Sequence, residues 1–120
     1  MANYRWSVNR LAEEVSFAEF QKFDMRVGKI IEANQIPNSK KLIKLTVDFG
    51  SEKRQAVAGL LKYYAPEQLT GKKCVFLLNL QRRVLAGVES QCMILAAQDS
   101  EDHVTVLTPE KDIVEGSKIG

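Results

Sequence analysis

The stretch Val88-Glu89-Ser90-Gln91-Cys92-Met93 sets a carboxylate, a hydroxyl, an amide, a thiol and a thioether in succession, directly before the apolar run Ile94-Leu95-Ala96-Ala97. Arg82 and Arg83 precede it by a few positions. One reading is a solvated loop entering a core strand. The other is a polar rim, where a splayed base could be hydrogen-bonded by Ser90 and Gln91 and contacted by Met93. These residues alone accommodate both.

Signals of catalysis are absent. The chain has no G-x-x-x-x-G-K-[ST] loop, no G-x-G-x-x-G, no H-E-x-x-H and no G-x-S-x-G. Its single histidine, His103, lies beside Asp102 in a predicted surface hairpin with no nucleophile near it in sequence. Cys74, inside an apolar strand, reads as a packing residue, and Cys92 as a core thiol. Two cysteines supply neither a disulfide framework nor a four-cysteine zinc site. The chain is therefore expected to be a non-enzyme with no cofactor or metal, its cysteines reduced and unpaired.

The elements that would position these residues are mostly strands. Ser16 followed by Glu19 fits a capping box, opening a short helix with Phe17 and Phe20 on its apolar side. Asp24 to Gln35 reads as a long strand, with Gly28 marking a bulge or sharp bend. Ile36-Pro37-Asn38-Ser39 breaks it. Leu42 to Phe49 alternates at Ile43, Leu45, Val47 and Phe49. Gly50-Ser51 then turns the chain into a returning strand, Gln55 to Leu60. Leu61 to Leu69 suits a short helical turn, which Gly71 stops. Lys73 to Leu80 is a near-continuous apolar strand, and Gln81 to Gly87 a loop. Gln91 to Ala97 and His103 to Leu107 are further strands, and Pro109 to Gly120 is a polar tail. This order predicts an all-β fold: an OB-fold five-stranded Greek-key barrel, with a short helix between strands 3 and 4 and extra C-terminal strands.

The 120 residues suffice for one domain with a real core, and 45% hydrophobic with 27% charged residues are ordinary globular values. No run of about 18 apolar residues is present, so no membrane span is expected. Residues 1–10 lack the apolar stretch of a secretory signal, so a cytoplasmic address is expected. The net charge of +2 conceals a strong asymmetry. Residues 1–20 carry two basic and three acidic groups, residues 21–83 thirteen and five, and residues 84–120 two and seven. A middle segment at +8 suits a domain that turns one face to a polyanion.

Four ordered motifs give the chain a family resemblance. They are Asp24-Met-Arg-Val-Gly-Lys-Ile30; Pro37-Asn-Ser-Lys-Lys-Leu42 with Val47-Asp-Phe-Gly50; Arg54-Gln-Ala-Val-Ala-Gly-Leu60 with Lys62-Tyr-Tyr-Ala-Pro66; and Asn79-Leu80 with Gly87-Val-Glu-Ser-Gln-Cys-Met93. Together they resemble the tRNA-binding domain family. That family occurs as the C-terminal domain or separate subunit of methionyl-tRNA synthetases, as a stand-alone bacterial tRNA-binding protein and in the endothelial-monocyte-activating polypeptide. The similarity spans roughly residues 17–119. It divides the chain into an N-terminal extension, 1–15, and a tRNA-binding barrel domain, 16–120. The family's S-x-G-M rim motif falls on Ser90, Cys92 and Met93, with Cys92 in place of the usual glycine. Ala86 stands where a basic residue commonly precedes the glycine, and Lys40 replaces the usual aspartate.

The resemblance implies a subunit or domain associated with a methionyl-tRNA synthetase, binding tRNA by shape and charge while catalysis belongs to another chain. Lys41, Lys44, Arg54, Arg82 and Arg83 would contact phosphates. Asn38, Asn79, Ser90, Gln91 and Met93 would shape a pocket for a base or sugar edge. Expected partners are tRNA, a catalytic methionyl-tRNA synthetase chain and a second copy of this chain, the last through apolar residues of Ile113 to Ile119; no membrane is expected. The alternative within the same barrel family is an export-related or general chaperone binding unfolded peptides. The +8 segment favours RNA, since an apolar peptide needs no such charge.

Overall fold

The computed structural model describes residues 12–120. Most of the predicted N-terminal extension lies outside the described residues. Helix α1 (Phe17–Phe20) opens on the expected capping box: the Glu19 amide donates to Ser16 Oγ at 3.1 Å, and the Ser16 amide to the Glu19 carboxylate. Strand β1 (Met25–Gln35) follows, then β2 (Ile43–Asp48) and β3 (Lys53–Ala58). Helix α2 (Pro66–Leu69) separates them from β4 (Lys73–Leu77). Beyond it come β5 (Arg83–Leu85), β6 (Val88–Ser90), β7 (Met93–Ile94), β8 (Ala96–Ser100) and β9 (His103–Val106).

The main sheet is antiparallel in the order β3-β2-β1-β4-β7, and it curls around one core. The alternation read in β2 is the reason. Ile43, Leu45 and Val47 are fully buried, whereas Lys44, Thr46 and Asp48 face outward. Leu69 of α2 is buried in the same cluster as Ile30, Phe76 and Ala56. Phe49 and Phe76 meet edge to face at 5.4 Å. The five-stranded barrel with a helix between its third and fourth strands is as expected, and so are the extra strands beyond it.

Four local readings are corrected. The bulge in β1 falls between Ile30 and Glu32, not at Gly28. Gly28 serves close packing instead: a Cβ there would come within 2.5 Å of Val47 and 2.6 Å of Phe49. The Gln81–Gly87 loop is in fact half of a hairpin, β5–β6, turning through Ala86 and Gly87 at φ +52° and +78°. The single strand Gln91–Ala97 is two, β7 and β8, interrupted at Leu95. Finally, the polar tail is a strap along the first part of β1, on the side that β2 leaves unpaired before Lys29. The Val27 amide donates to Ser117, the Gly116 amide to Val27, and the Ile119 amide to Met25, all at 2.8–2.9 Å. Lys73 anchors it with ion pairs to Asp112 at 2.8 Å and Glu115 at 3.0 Å.

Candidate nucleic-acid interface

Strand register defines the face that matters. Lys44 sits across from Asn34 on β1 and Val57 on β3, Thr46 across from Gln55, and Asp48 across from Lys53. These outward residues make a shallow polar face over β2 and β3. The β1–β2 turn, carrying Asn38, Lys40 and Lys41, borders it on one side. Asn38 is exposed and holds φ +66°, a conformation that asparagine adopts more readily than most residues. Ser39 Oγ accepts from the Lys41 and Leu42 amides and fixes the turn.

The β5–β6 hairpin borders the face on the other side. Next to it lies a cleft of about 50 Å³, lined by Val57, Leu80, Gln81, Arg83, Leu85, Ser90, Cys92 and Met93. It has room for the edge of a planar group. Leu80 and Met93 leave about two-fifths of their surface in water, at 42% and 41%. Among the described residues, Lys40, Lys41, Lys44, Lys53 and Arg83 carry no ion pair. Arg82 meets Glu89 only at 3.5 Å with both side chains half exposed, a contact of small strength in water.

Ten residues were expected to form the site, and they fall into two groups. Asn38, Lys41, Lys44, Arg82, Arg83 and Met93 present side chains to solvent around the face and the cleft. The other four are engaged within the protein. Asn79 lies away from the cleft: its Oδ1 accepts from the Asp24 amide at 2.8 Å and its amide donates to the Lys22 carbonyl, tying β4 to the α1–β1 junction. Ser90 Oγ accepts from the Val57 amide at 3.0 Å and donates to the Cys92 carbonyl. Gln91 Oε1 accepts from the Gln55 amide at 3.1 Å. Arg54 donates to Glu52 at 2.9 Å, to the Leu78 carbonyl at 2.8 Å and to the Gln91 carbonyl at 3.3 Å. The same contact holds the Glu52 carboxyl below its ordinary value.

Sequence reasoning missed Lys53, Gln55 and Leu80. Lys53 and Gln55 follow from the alternation of β3, on the same side of the strand as Val57, which is buried beneath the cleft. Leu80 carries no alternation signal, because it continues an apolar run, and its only mark in the sequence is its place in the Asn79-Leu80 motif. The thiols offer no chemistry: burial pushes Cys74 up to about 11 and Cys92 up to about 12, so both stay protonated near neutral pH. His103 bonds Asp99 at 2.9 Å on the exposed β8–β9 hairpin and is not among the residues lining the cleft.

A nearly closed five-stranded barrel with a cationic β2–β3 face and flanking loops belongs to the oligonucleotide-binding barrel class. Residues 25–118 match the model of the putative tRNA binding domain, and the chain belongs to that family. It is 51% identical over 107 residues to the methionine–tRNA ligase of Methanocaldococcus jannaschii, a match covering 89% of this chain and 16% of that protein. The chain thus spans about a sixth of the length of such relatives. Among solved structures, a MetRS-related protein from Pyrococcus horikoshii superposes with TM-score 0.85 at 40% identity, covering 91% of this chain and all of that one. The chaperone CsaA from Bacillus anthracis superposes with TM-score 0.82 at 29% identity, covering 90% of this chain and all of that one. The motif resemblance and the family match agree.

Proposed function

We propose that this chain binds tRNA without catalysing a reaction, and so assists a methionyl-tRNA synthetase whose chemistry resides in another domain or chain. It would do so in the cytoplasm. One observation carries the reading: Lys40, Lys41, Lys44 and Lys53 border the β2–β3 face and Arg83 lines the cleft beside it, none of them in an ion pair among the described residues. Unpaired cations contact phosphates at no cost in broken ion pairs. The cleft then receives a base or sugar edge against Met93. No helix among the described residues is long and apolar enough to cross a membrane.

The test is tRNA affinity at several salt concentrations. Phosphate contacts by Lys40, Lys41, Lys44, Lys53, Arg82 and Arg83 give a log–log slope of about −5, at 0.7–0.9 per contact. Replacing Arg82 and Arg83 together by alanine flattens the slope by about 1.5. Met93→Ala weakens binding by about 1–2 kcal/mol and leaves the slope alone. The similarity to CsaA, together with exposed Leu80, Val84 and Met93, supports a second reading as a peptide-binding chaperone. That reading predicts salt-insensitive peptide binding and a flat tRNA response, which would end the tRNA reading.

We propose that the chain also pairs with a second copy, the expected segment Ile113 to Ile119 contributing Ile119 beside the α1 face. Phe17 is 70% exposed and lines an apolar groove with Phe20, Phe23 and Ile119. Sedimentation at micromolar concentration should return about twice the 13.5 kDa chain mass; a monomer there refutes the pairing.

A further inference from the structure

Strand β3 is an edge of the main sheet, so the amides of Gln55 and Val57 point away from β2 and need partners. Side chains provide them. Gln91 Oε1 takes the Gln55 amide and Ser90 Oγ takes the Val57 amide. One backbone bond, from the Gln91 amide to the Gln55 carbonyl at 2.9 Å, accompanies them. The Gln55 side chain returns a bond to the Glu89 carbonyl at 2.8 Å. Two consecutive side chains thus stand in for part of a strand.

Arg54 completes the arrangement. Its Nη1 reaches the carbonyls of Leu78 and Gln91, the residues on either side of the excursion 79–90. One guanidinium therefore clasps both stems of the segment that carries Arg82 and Arg83. Its remaining nitrogens engage Glu52, and its side chain is only 20% exposed. Ser90 is equally committed, since its one hydroxyl proton goes to the Cys92 carbonyl.

We infer that Arg54, Ser90 and Gln91 are positioning residues: they hold the β5–β6 hairpin against β3 and so aim Arg82 and Arg83 at the RNA backbone, without touching RNA themselves. This rests on the tRNA reading above. It replaces the expectation that Arg54 contacts a phosphate and that Ser90 and Gln91 read a base.

A neutral substitution separates the two roles. Gln91→Ala removes no charge, so a lost base contact lowers affinity equally at every salt concentration. If Gln91 positions the arginines, its loss flattens the salt slope toward that of the Arg82→Ala/Arg83→Ala protein, by up to about 1.5. Adding Gln91→Ala to that protein then changes the slope no further. Arg54→Ala should flatten the slope by more than the 0.7–0.9 of one phosphate. Amide exchange at Gln55 and Val57 should quicken in Gln91→Ala and Ser90→Ala proteins, respectively, and supplies the readout if Arg54→Ala does not fold. An unchanged slope in Gln91→Ala, with Arg54→Ala costing one phosphate's share additively, overturns the inference. Unchanged exchange at those amides overturns it as well. If instead Arg82→Ala/Arg83→Ala leaves the parent slope intact, the tRNA reading fails, and the exchange data still decide the clasp.

Discussion

The β3 edge and the first part of β1, which β2 leaves unpaired, are both covered, but by different means. At β1 the strap 116–119 supplies main-chain groups, a continuation of the sheet in all but length, with Lys73 pinning it through two carboxylates. At β3 the side chains of Ser90 and Gln91 take the strand's amides, and Arg54 reaches out from β3 to the carbonyls of Leu78 and Gln91. Main-chain cover depends on backbone geometry and tolerates most side chains. Side-chain cover depends on residue identity and can be undone by a single truncation. The first suits a part that must simply stay closed, the second a part whose exact placement carries binding.

Breaking the strap should therefore cost stability and leave the salt slope alone, opposite to breaking the clasp. The largest effect is expected from Gly116→Val. Gly116 holds φ +91°, and a Cβ there would lie 2.3 Å from the Phe49 carbonyl oxygen. Strained backbone and overpacking together should cost about 3 kcal/mol in urea unfolding. A variant as stable as the parent would show that the strap contributes little.

A smaller effect should follow from acid. Lys73 holds the Asp112 and Glu115 carboxyls below their ordinary values of 3.8 and 4.5. Folded values below unfolded ones mean stabilisation that is present above those ordinary values and fades as pH falls through the depressed ones. Amide protection at Gly116 and Ile119 should drop below about pH 4 relative to that at Val57, whose partner is the uncharged Ser90 hydroxyl. Lys73→Met should remove that pH dependence. A parallel loss of protection at all three amides would erase the distinction between the two edges.

The same contrast explains what could be read from the sequence. Apolar alternation in β2, the Ser16–Glu19 box and the Pro37-Asn38 break are local patterns, and each marks its element. The strap bonds through main chain, so its residues carry no signature beyond Gly116, and it reads as a polar tail. The clasp is written in side chains, but its partners lie 24 and 37 positions from Arg54. Charge alone makes Arg54 look like Arg83, yet one is turned inward and the other outward. The bulge escaped notice because Ile30 and Ile31 are equally apolar, and only the barrel's curvature decides which one leaves the ladder.

The excursion 79–90 contributes no buried residue to the barrel. Its turn, charges and length can therefore drift while the core stays untouched, provided Asn79 keeps its bonds to Lys22 and Asp24, Ser90 its bond to Val57, and Leu78 and Gln91 their carbonyls for Arg54. Doubling such a segment costs only about 0.6 kcal/mol of loop-closure entropy. The hairpin behaves as an exchangeable cassette on a fixed socket, a place where ligand preference can be rewritten by natural variation or by design without renegotiating the fold.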